Sequence, residues 1–93
     1  MTPIEFETSV LAEGYDAVVP VDRAVGYSLT DHKHTFDACA LITKGEFTIT
    51  VDGRSHCYRV GEIFRLPAGT VHEESAGPQG ASYLSGRRER SVE

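Results

Sequence analysis

The sequence predicts an all-β protein in which short antiparallel strands form a closed or nearly closed sheet. Apolar and polar residues alternate in short runs that glycines interrupt, and no window keeps the period of about 3.6 residues typical of an amphipathic helix. The pair Asp52-Gly53, between two such runs, is typical of a two-residue β-hairpin turn. Eight or more short strands in 93 residues need closure to hide their edges, so we predict one domain over residues 1–93.

The predicted strands follow one another with short separators. Residues 4–10 alternate in polarity and residues 17–21 look extended, so both segments are expected to be edge strands that cover the barrel or pair with a second subunit. The other predicted strands cover residues 25–29, 36–43, 46–51, 54–60, 63–66, 71–75 and 81–84. Residues that favour turns separate them at 44–45, 61–62, 67–69 and 77–80.

The hairpin is the element whose register the sequence defines best. A two-residue turn at Asp52-Gly53 places Val51 opposite Arg54, and the pairing continues outward from there. The expected pairs are Ile49 with His56, Phe47 with Tyr58, Thr48 with Cys57 and Thr50 with Ser55. The face predicted to be buried consists of Phe47, Ile49, Tyr58 and Val60.

Composition and charge exclude several classes of partner. A formal net charge of −5 opposes binding to nucleic acid or to anionic lipid, and no apolar run approaches the roughly 20 residues that span a bilayer. The N-terminal segment carries acidic residues where a secretory signal carries basic ones, so a cytoplasmic location is expected. Cys39 and Cys57 lack a CxxC arrangement and are predicted to be free thiols, with Cys39 packed away from any site.

The histidines are the candidate functional residues. His32 and His34 are one residue apart, so a strand would turn both imidazoles to the same side, as a pair of neighbouring metal ligands requires. Taken alone, such a pair is more often a feature of a sheet surface. The segment GEIFRLPAGTVH at residues 61–72 adds an apolar strand, a tight reversal at residues 67–69 and a third histidine, His72.

Together these segments resemble the two sequence motifs of the cupin family, of the small RmlC-like type. The first motif has the form G, five residues, HxH, three or four residues, E, six residues, G; here it covers residues 26–45, with Gly26, His32, His34 and Gly45 in place. The second has the form G, five residues, PxG, two residues, H, three residues, N, and covers residues 61–76, with Gly61, Pro67, Gly69 and His72 in place. The resemblance implies a double-stranded β-helix, or jelly-roll, barrel and commonly a homodimer.

The sequence departs from the family pattern at two positions. Ala38 stands where the family usually has a glutamate ligand, and Asp37, one residue earlier, is expected to point to the opposite face from His34. Ala76 stands where the family has asparagine. Three neutral imidazoles still suffice for one divalent transition metal of the Fe, Ni, Mn, Co or Zn type, with water in the open positions.

The resemblance implies a metal site of His32, His34 and His72 inside one end of the barrel. Asp37, His56 and Glu73 are possible supporting residues or reserve ligands; of Glu73 and Glu74, one is expected to point outward and the other to orient an imidazole. The function expected is that of a small metal-binding cupin acting on a small organic molecule, such as a metal-dependent dioxygenase or isomerase. The alternative is a non-catalytic barrel that binds or senses a small molecule and keeps a structural or vestigial metal site.

Overall fold

A computed structural model describes residues 1–90; residues 91–93, the end of the predicted domain, lie outside the described residues. Within residues 1–90, one helix, α1, precedes six strands. Their bounds are α1 Pro3–Ala12, β1 Ala17–Arg23, β2 Ser28–His32, β3 Phe36–Val51, β4 Arg54–Arg59, β5 Ile63–Leu66 and β6 His72–Glu89. The predicted all-β architecture is confirmed, with a single helix added at its start.

The strands form one antiparallel sheet around two long central strands. The main path runs β1-β6-β3-β4, while β2 pairs with β6 and β5 pairs with β3. The first half of β3 pairs with β5 through residues 38–41, and its second half pairs with β4 through residues 46–51. β6 pairs with both halves of β3, so these two long strands form the centre of the sheet. The shorter strands pair with one or the other of them, β1 and β2 with β6, and β4 and β5 with β3.

The expected separators at 44–45 and 77–80 are wrong, because both lie inside long strands. The pairing of β3 with β6 shifts register between Ile42 and Lys44 and again between Gly45 and Phe47, so the chain bends without leaving the sheet. Gly45 has a φ of 68°, and a side chain there would collide with the backbone carbonyl of Gly80. The glycines therefore mark bends within strands, and the strands predicted at 71–75 and 81–84 are parts of β6.

The N-terminal segment is a helix, and its expected extended conformation is wrong. Thr2 accepts a hydrogen bond from the Glu5 backbone N–H, and the Glu5 carboxylate accepts one from the Thr2 N–H, so the helix starts with a capping box. Pro3 occupies the first turn, where its missing N–H costs no hydrogen bond. Phe6 and Val10, four residues apart, are both buried on one face of α1.

The hairpin of β3 and β4 has the predicted register, with every expected pair observed. Asp52 and Gly53 have φ values of 51° and 76°, as the predicted two-residue turn requires. Val60 is an exception to the predicted buried face, since its exposed fraction is 62%. The strand ends at Arg59, so Val60 enters the following turn and leaves the alternation. The strand expected at 25–29 also lies three residues further on, as β2.

The two faces of the sheet bury separate apolar clusters. The interior cluster contains Ala38, Ala40, Ile42, Phe47, Ile49, Phe64, Leu66, Ala81 and Tyr83. On the other face, α1 covers a second cluster of Phe6, Val10, Tyr15, Cys39 and Leu41. Cys39 thus packs away from the interior as a free thiol, as predicted. Within residues 1–90, α1 is too short to cross a bilayer, and no other helix is present to do so.

Candidate metal centre

Three histidines and one glutamate converge where β2 ends and β6 begins. His32 is the last residue of β2 and the Cα partner of His72, the first residue of β6. Glu74 lies two residues beyond His72, so its side chain points to the same face. His34 follows the end of β2, and its carbonyl accepts a hydrogen bond from the Gly69 N–H, which ties it to the predicted turn at residues 67–69. One nitrogen or oxygen from each of these four side chains lies within 4.8 Å of the others.

The hydrogen bonds of two imidazoles fix which nitrogen faces the cluster. The Nδ1 atom of His32 lies 3.0 Å from the Thr30 carbonyl, and that of His72 lies 2.9 Å from the Thr70 carbonyl. A carbonyl oxygen can only accept, so in each ring Nδ1 carries the proton and donates it. The Nε2 atom of a neutral ring is then left with a free lone pair. Both Nε2 atoms are buried and lack a hydrogen-bond partner among the described residues.

The Glu74 carboxylate faces these two lone pairs. Its Oε2 atom lies 3.6 Å from Nε2 of His32 and 3.4 Å from Nε2 of His72. Its Oε1 atom accepts a hydrogen bond of 2.6 Å from the Tyr27 hydroxyl and lies 4.0 Å from Nη2 of Arg23. Burial and the bond to Glu74 raise the pKa of Tyr27, so the phenol keeps its proton and remains a donor. One carboxylate oxygen is therefore held in place, and the other is left for the cluster.

The two distances between Glu74 Oε2 and the imidazole nitrogens fit a metal ion. Two ligand atoms about 2.1 Å from one ion in a tetrahedral arrangement lie about 3.4 Å apart, close to the two distances from Glu74 Oε2. If both rings are neutral and no cation is bound, two imidazole lone pairs and a carboxylate face one another in a buried place, which is electrostatically unfavourable. Burial and the neighbouring histidines also lower the pKa of His34, which favours the neutral, ligating form of its ring. The donor set of three imidazoles and one carboxylate suits Fe, Ni, Mn, Co or Zn.

The reserve ligands named from the sequence lie outside this group. Asp37 accepts hydrogen bonds from the Ala68 backbone N–H, from Arg88 and from Arg90. His56 lies opposite Ile49 and lines a cleft of about 600 Å³. Glu73 is exposed. Ala38 is buried and lies beside His34 in the interior, but its methyl group cannot bind a metal.

The sequence analysis left open which of Glu73 and Glu74 orients an imidazole, and it missed the role of Tyr27. The signal for Glu74 was present: it is two residues from His72 on a strand, and period-two alternation places it on the same face, whereas Glu73 points away. Tyr27 gave no comparable signal, because its contact with Glu74 joins residues 47 positions apart. The ring of Tyr27 also packs in the interior, where it stacks on Phe47 at a centroid distance of 6.3 Å.

Known structures share this fold at low sequence identity. KdgF from Halomonas sp. is 23% identical with a TM-score of 0.69; the alignment covers 80% of this chain and 68% of that one. A cupin protein from Bacteroides fragilis is 21% identical with a TM-score of 0.65, covering 82% and 68%. The EutQ protein of Clostridium difficile is 19% identical with a TM-score of 0.70, covering 81% of this chain and 57% of its own. No curated protein matches the sequence.

A family model identifies the chain more directly than these structures do. The model described as "Cupin domain" matches residues 21–85, which is more than half of the chain and includes His32, His34, His72 and Glu74. The match agrees with the two motifs read from the sequence and with the antiparallel sheet. This chain therefore belongs to the cupin domain family.

Proposed function

We propose that this chain holds one divalent transition metal through His32, His34, His72 and Glu74 and uses it on a small organic molecule inside the barrel. The observation that supports this most strongly is the pair of buried Nε2 atoms, on His32 and His72, that face a carboxylate oxygen without a hydrogen-bond partner among residues 1–90. Buried polar groups are normally satisfied, so the cluster is best explained by a bound cation.

Each residue has a distinct part in the proposed site. The carbonyls of Thr30 and Thr70 hold the rings of His32 and His72 with Nε2 turned inward. Tyr27 holds Glu74 so that Oε2 faces the imidazoles. A bound metal would supply Lewis acidity and open coordination positions for the substrate. Phe36 stacks on the His34 ring at a centroid distance of 4.7 Å and limits the access of water from that side.

The reaction class that we propose is a metal-dependent dioxygenation or isomerisation, as the resemblance to cupins implies. The second candidate function is a barrel that binds or senses a small molecule without converting it. Ala38 favours this second candidate, because the usual glutamate of the first motif is missing. Glu74 favours the first, since it restores a carboxylate to the cluster from another strand. The homodimer expected from the sequence stays a prediction.

The metal content of the purified protein, measured by elemental mass spectrometry, tests the proposal. We expect close to one equivalent of a transition metal in the wild type and a loss of most of it in His72→Ala, because one buried ligand is removed. His34→Ala is a second variant at a less buried position, and circular dichroism shows whether each variant folds. His56→Ala is the matched control and should retain the metal, since His56 lies outside the cluster.

Wild-type protein that takes up no metal after reconstitution, or folded His34→Ala and His72→Ala proteins with full occupancy, would contradict the metal centre. Turnover separates the two candidate functions. Formation of a product from any small molecule by the metal-loaded wild type, lost in His34→Ala, supports an enzyme. Tight binding of a small molecule without its conversion, in protein loaded with each of several metals in turn, supports the binding barrel.

A further inference from the structure

A small cavity lies beside the candidate metal centre in the barrel interior. Its volume is about 40 Å³, room for about three water molecules. Two of its lining residues, His34 and Glu74, belong to the metal-binding group. The cavity is thus placed where a small molecule would contact both the proposed metal and the interior wall.

Two arginines line this cavity, in a chain whose formal net charge is −5. They are Arg23, at the end of β1, and Arg87, near the end of β6. The Nε atom of each is buried and lacks a hydrogen-bond partner among the described residues. A buried guanidinium N–H without an acceptor is unfavourable, so both atoms have donor capacity that a ligand could satisfy.

The positive charge of Arg87 is less well compensated than that of Arg23. Arg23 lies 4.0 Å from the Glu74 carboxylate, whereas Arg87 forms no side-chain ion pair with any of residues 1–90. The Cα partner of Arg87 on β3 is Ala38, whose side chain is only a methyl group. Arg87 is held in position by the Phe36 ring, 4.9 Å from its guanidinium carbon, and that ring stacks on His34. Arg87 is therefore a cation that lacks a counterion among residues 1–90 and lies next to the candidate metal ligand His34.

Most of the other residues that line the cavity are apolar; Tyr83 and Ser85 also line it and carry hydroxyl groups. Phe36, Ala38, Phe64 and Leu66 line it, and the last two also line the larger cleft of about 600 Å³. A ligand with a carboxylate at one end would place its oxygens on the arginines and its carbon atoms against these walls. Inorganic phosphate would satisfy the arginines equally well but would turn polar oxygens toward the aromatic and aliphatic walls.

We propose that the substrate is a small organic acid and that Arg87, assisted by Arg23, binds its carboxylate beside the metal centre. This inference rests on the proposed function, because it identifies the substrate class of the same site. Ala38 leaves the room that the carboxylate occupies. The charge of the acid compensates Arg87, and the metal-binding side of the cavity faces the rest of the molecule.

A comparison of propionate with propionamide, which has nearly the same shape but no charge, tests this inference. Each is titrated into zinc-loaded and into metal-free protein and followed by NMR of the backbone amides. We expect propionate to bind the wild type at least tenfold more tightly than propionamide. Arg87→Gln should weaken propionate binding about tenfold or more, because a charge-assisted pair is lost, and should leave propionamide binding and zinc content unchanged.

Two further variants keep the result interpretable. Arg87→Lys keeps the charge and should retain part of the preference for propionate, even if Arg87→Gln fails to fold. Arg59→Gln is the matched control, because Arg59 is exposed, pairs with Glu46 and lies outside the cavity. Its propionate affinity should equal that of the wild type.

Equal binding of propionate and propionamide, or an unchanged propionate affinity in folded Arg87→Gln, would overturn the inference. Inorganic phosphate that binds at the same amides as tightly as propionate would overturn the choice of a carboxylate. Zinc content separates this failure from that of the metal centre. If the protein takes up zinc but shows no preference for propionate, only the proposed substrate class is wrong. If the preference for propionate persists in protein that cannot take up zinc, the result supports the arginine site but not the metal centre.

Discussion

The carboxylate of the candidate site comes from Glu74, and Ala38 occupies the position where the first cupin motif usually has glutamate. The two positions lie on different strands, β3 for Ala38 and β6 for Glu74. Because Glu74 is two residues from His72, a strand provides both side chains on one face without further adjustment. The exchange leaves the donor set with a carboxylate and leaves a cavity beside Ala38.

Tyr27→Phe should weaken metal binding while leaving the fold intact. The variant removes the hydroxyl that donates to Oε1 of Glu74 but keeps the ring that packs on Phe47. Loss of a residue that orients a metal ligand typically reduces affinity about 10- to 100-fold, and we expect the lower part of that range. Competition with a chelating dye gives the dissociation constant. Tyr58→Phe is the control, and equal affinities of the two variants would show that Tyr27 does not support the ligand.

For individual residues, the sequence identified the three histidines that the structure brings together. The spacings within HxH and between PxG and His72 are local, so they can be read from the sequence. It did not identify Tyr27, Arg23 or Arg87. Their contacts depend on how β1, β2 and β6 meet, and hydrogen bonds between residues 47 positions apart leave no local pattern. The choice between Glu73 and Glu74 was within reach, since alternation along β6 decides it.

Among the elements, α1 was the one assigned to the wrong class. The alternation of residues 4–10 suggested a strand, but the apolar residues that matter are Phe6 and Val10, which share a helical face. Thr2, Pro3 and Glu5 form a helix-start signature that outweighs a short period-two pattern. The long strands were divided in the prediction for a related reason: Gly45 and Gly80 resemble turn residues but act as bends inside a continuous ladder.

Phe6→Ala should destabilise the protein strongly, because α1 is anchored to the sheet through this side chain. Phe6 is 1% exposed and packs with Val10, Tyr15, Cys39 and Leu41. Removal of a buried phenylalanine costs about 3–5 kcal/mol, a large part of the roughly 5–15 kcal/mol that stabilises a typical domain. Urea unfolding measures the change in the free energy of unfolding.

The matched control for Phe6 is Ile4→Ala on the same helix. Ile4 is 78% exposed, so its truncation should change the free energy of unfolding by less than about 0.5 kcal/mol. Similar losses in both variants would show that α1 does not dock through Phe6. A small effect of Phe6→Ala alone would mean that the helix contributes little to the stability of the sheet.

At the scale of the whole molecule, Asp37 connects segments that are distant in sequence. Asp37 lies near the start of β3 and accepts a hydrogen bond of 2.8 Å from the Ala68 N–H, in the turn after β5. Its carboxylate also forms ion pairs with Arg88 on β6 and with Arg90, just after β6. The sequence placed Asp37 on the face away from His34 but gave no indication of these partners. The bond from Ala68 and the two arginines lower the pKa of Asp37 to about 2.

This lowered pKa predicts that Asp37 stabilises the fold above about pH 4 and loses that contribution as the pH falls toward 2. In the unfolded chain the carboxyl has a pKa of about 3.9, so below that value the unfolded state binds a proton that the folded state still excludes. Asp37→Asn should therefore be less stable than the wild type at pH 7, and the difference should shrink between about pH 4 and 2. Urea unfolding at several pH values measures it. A difference that stays constant over this range would show that the ion pairs of Asp37 do not stabilise the fold.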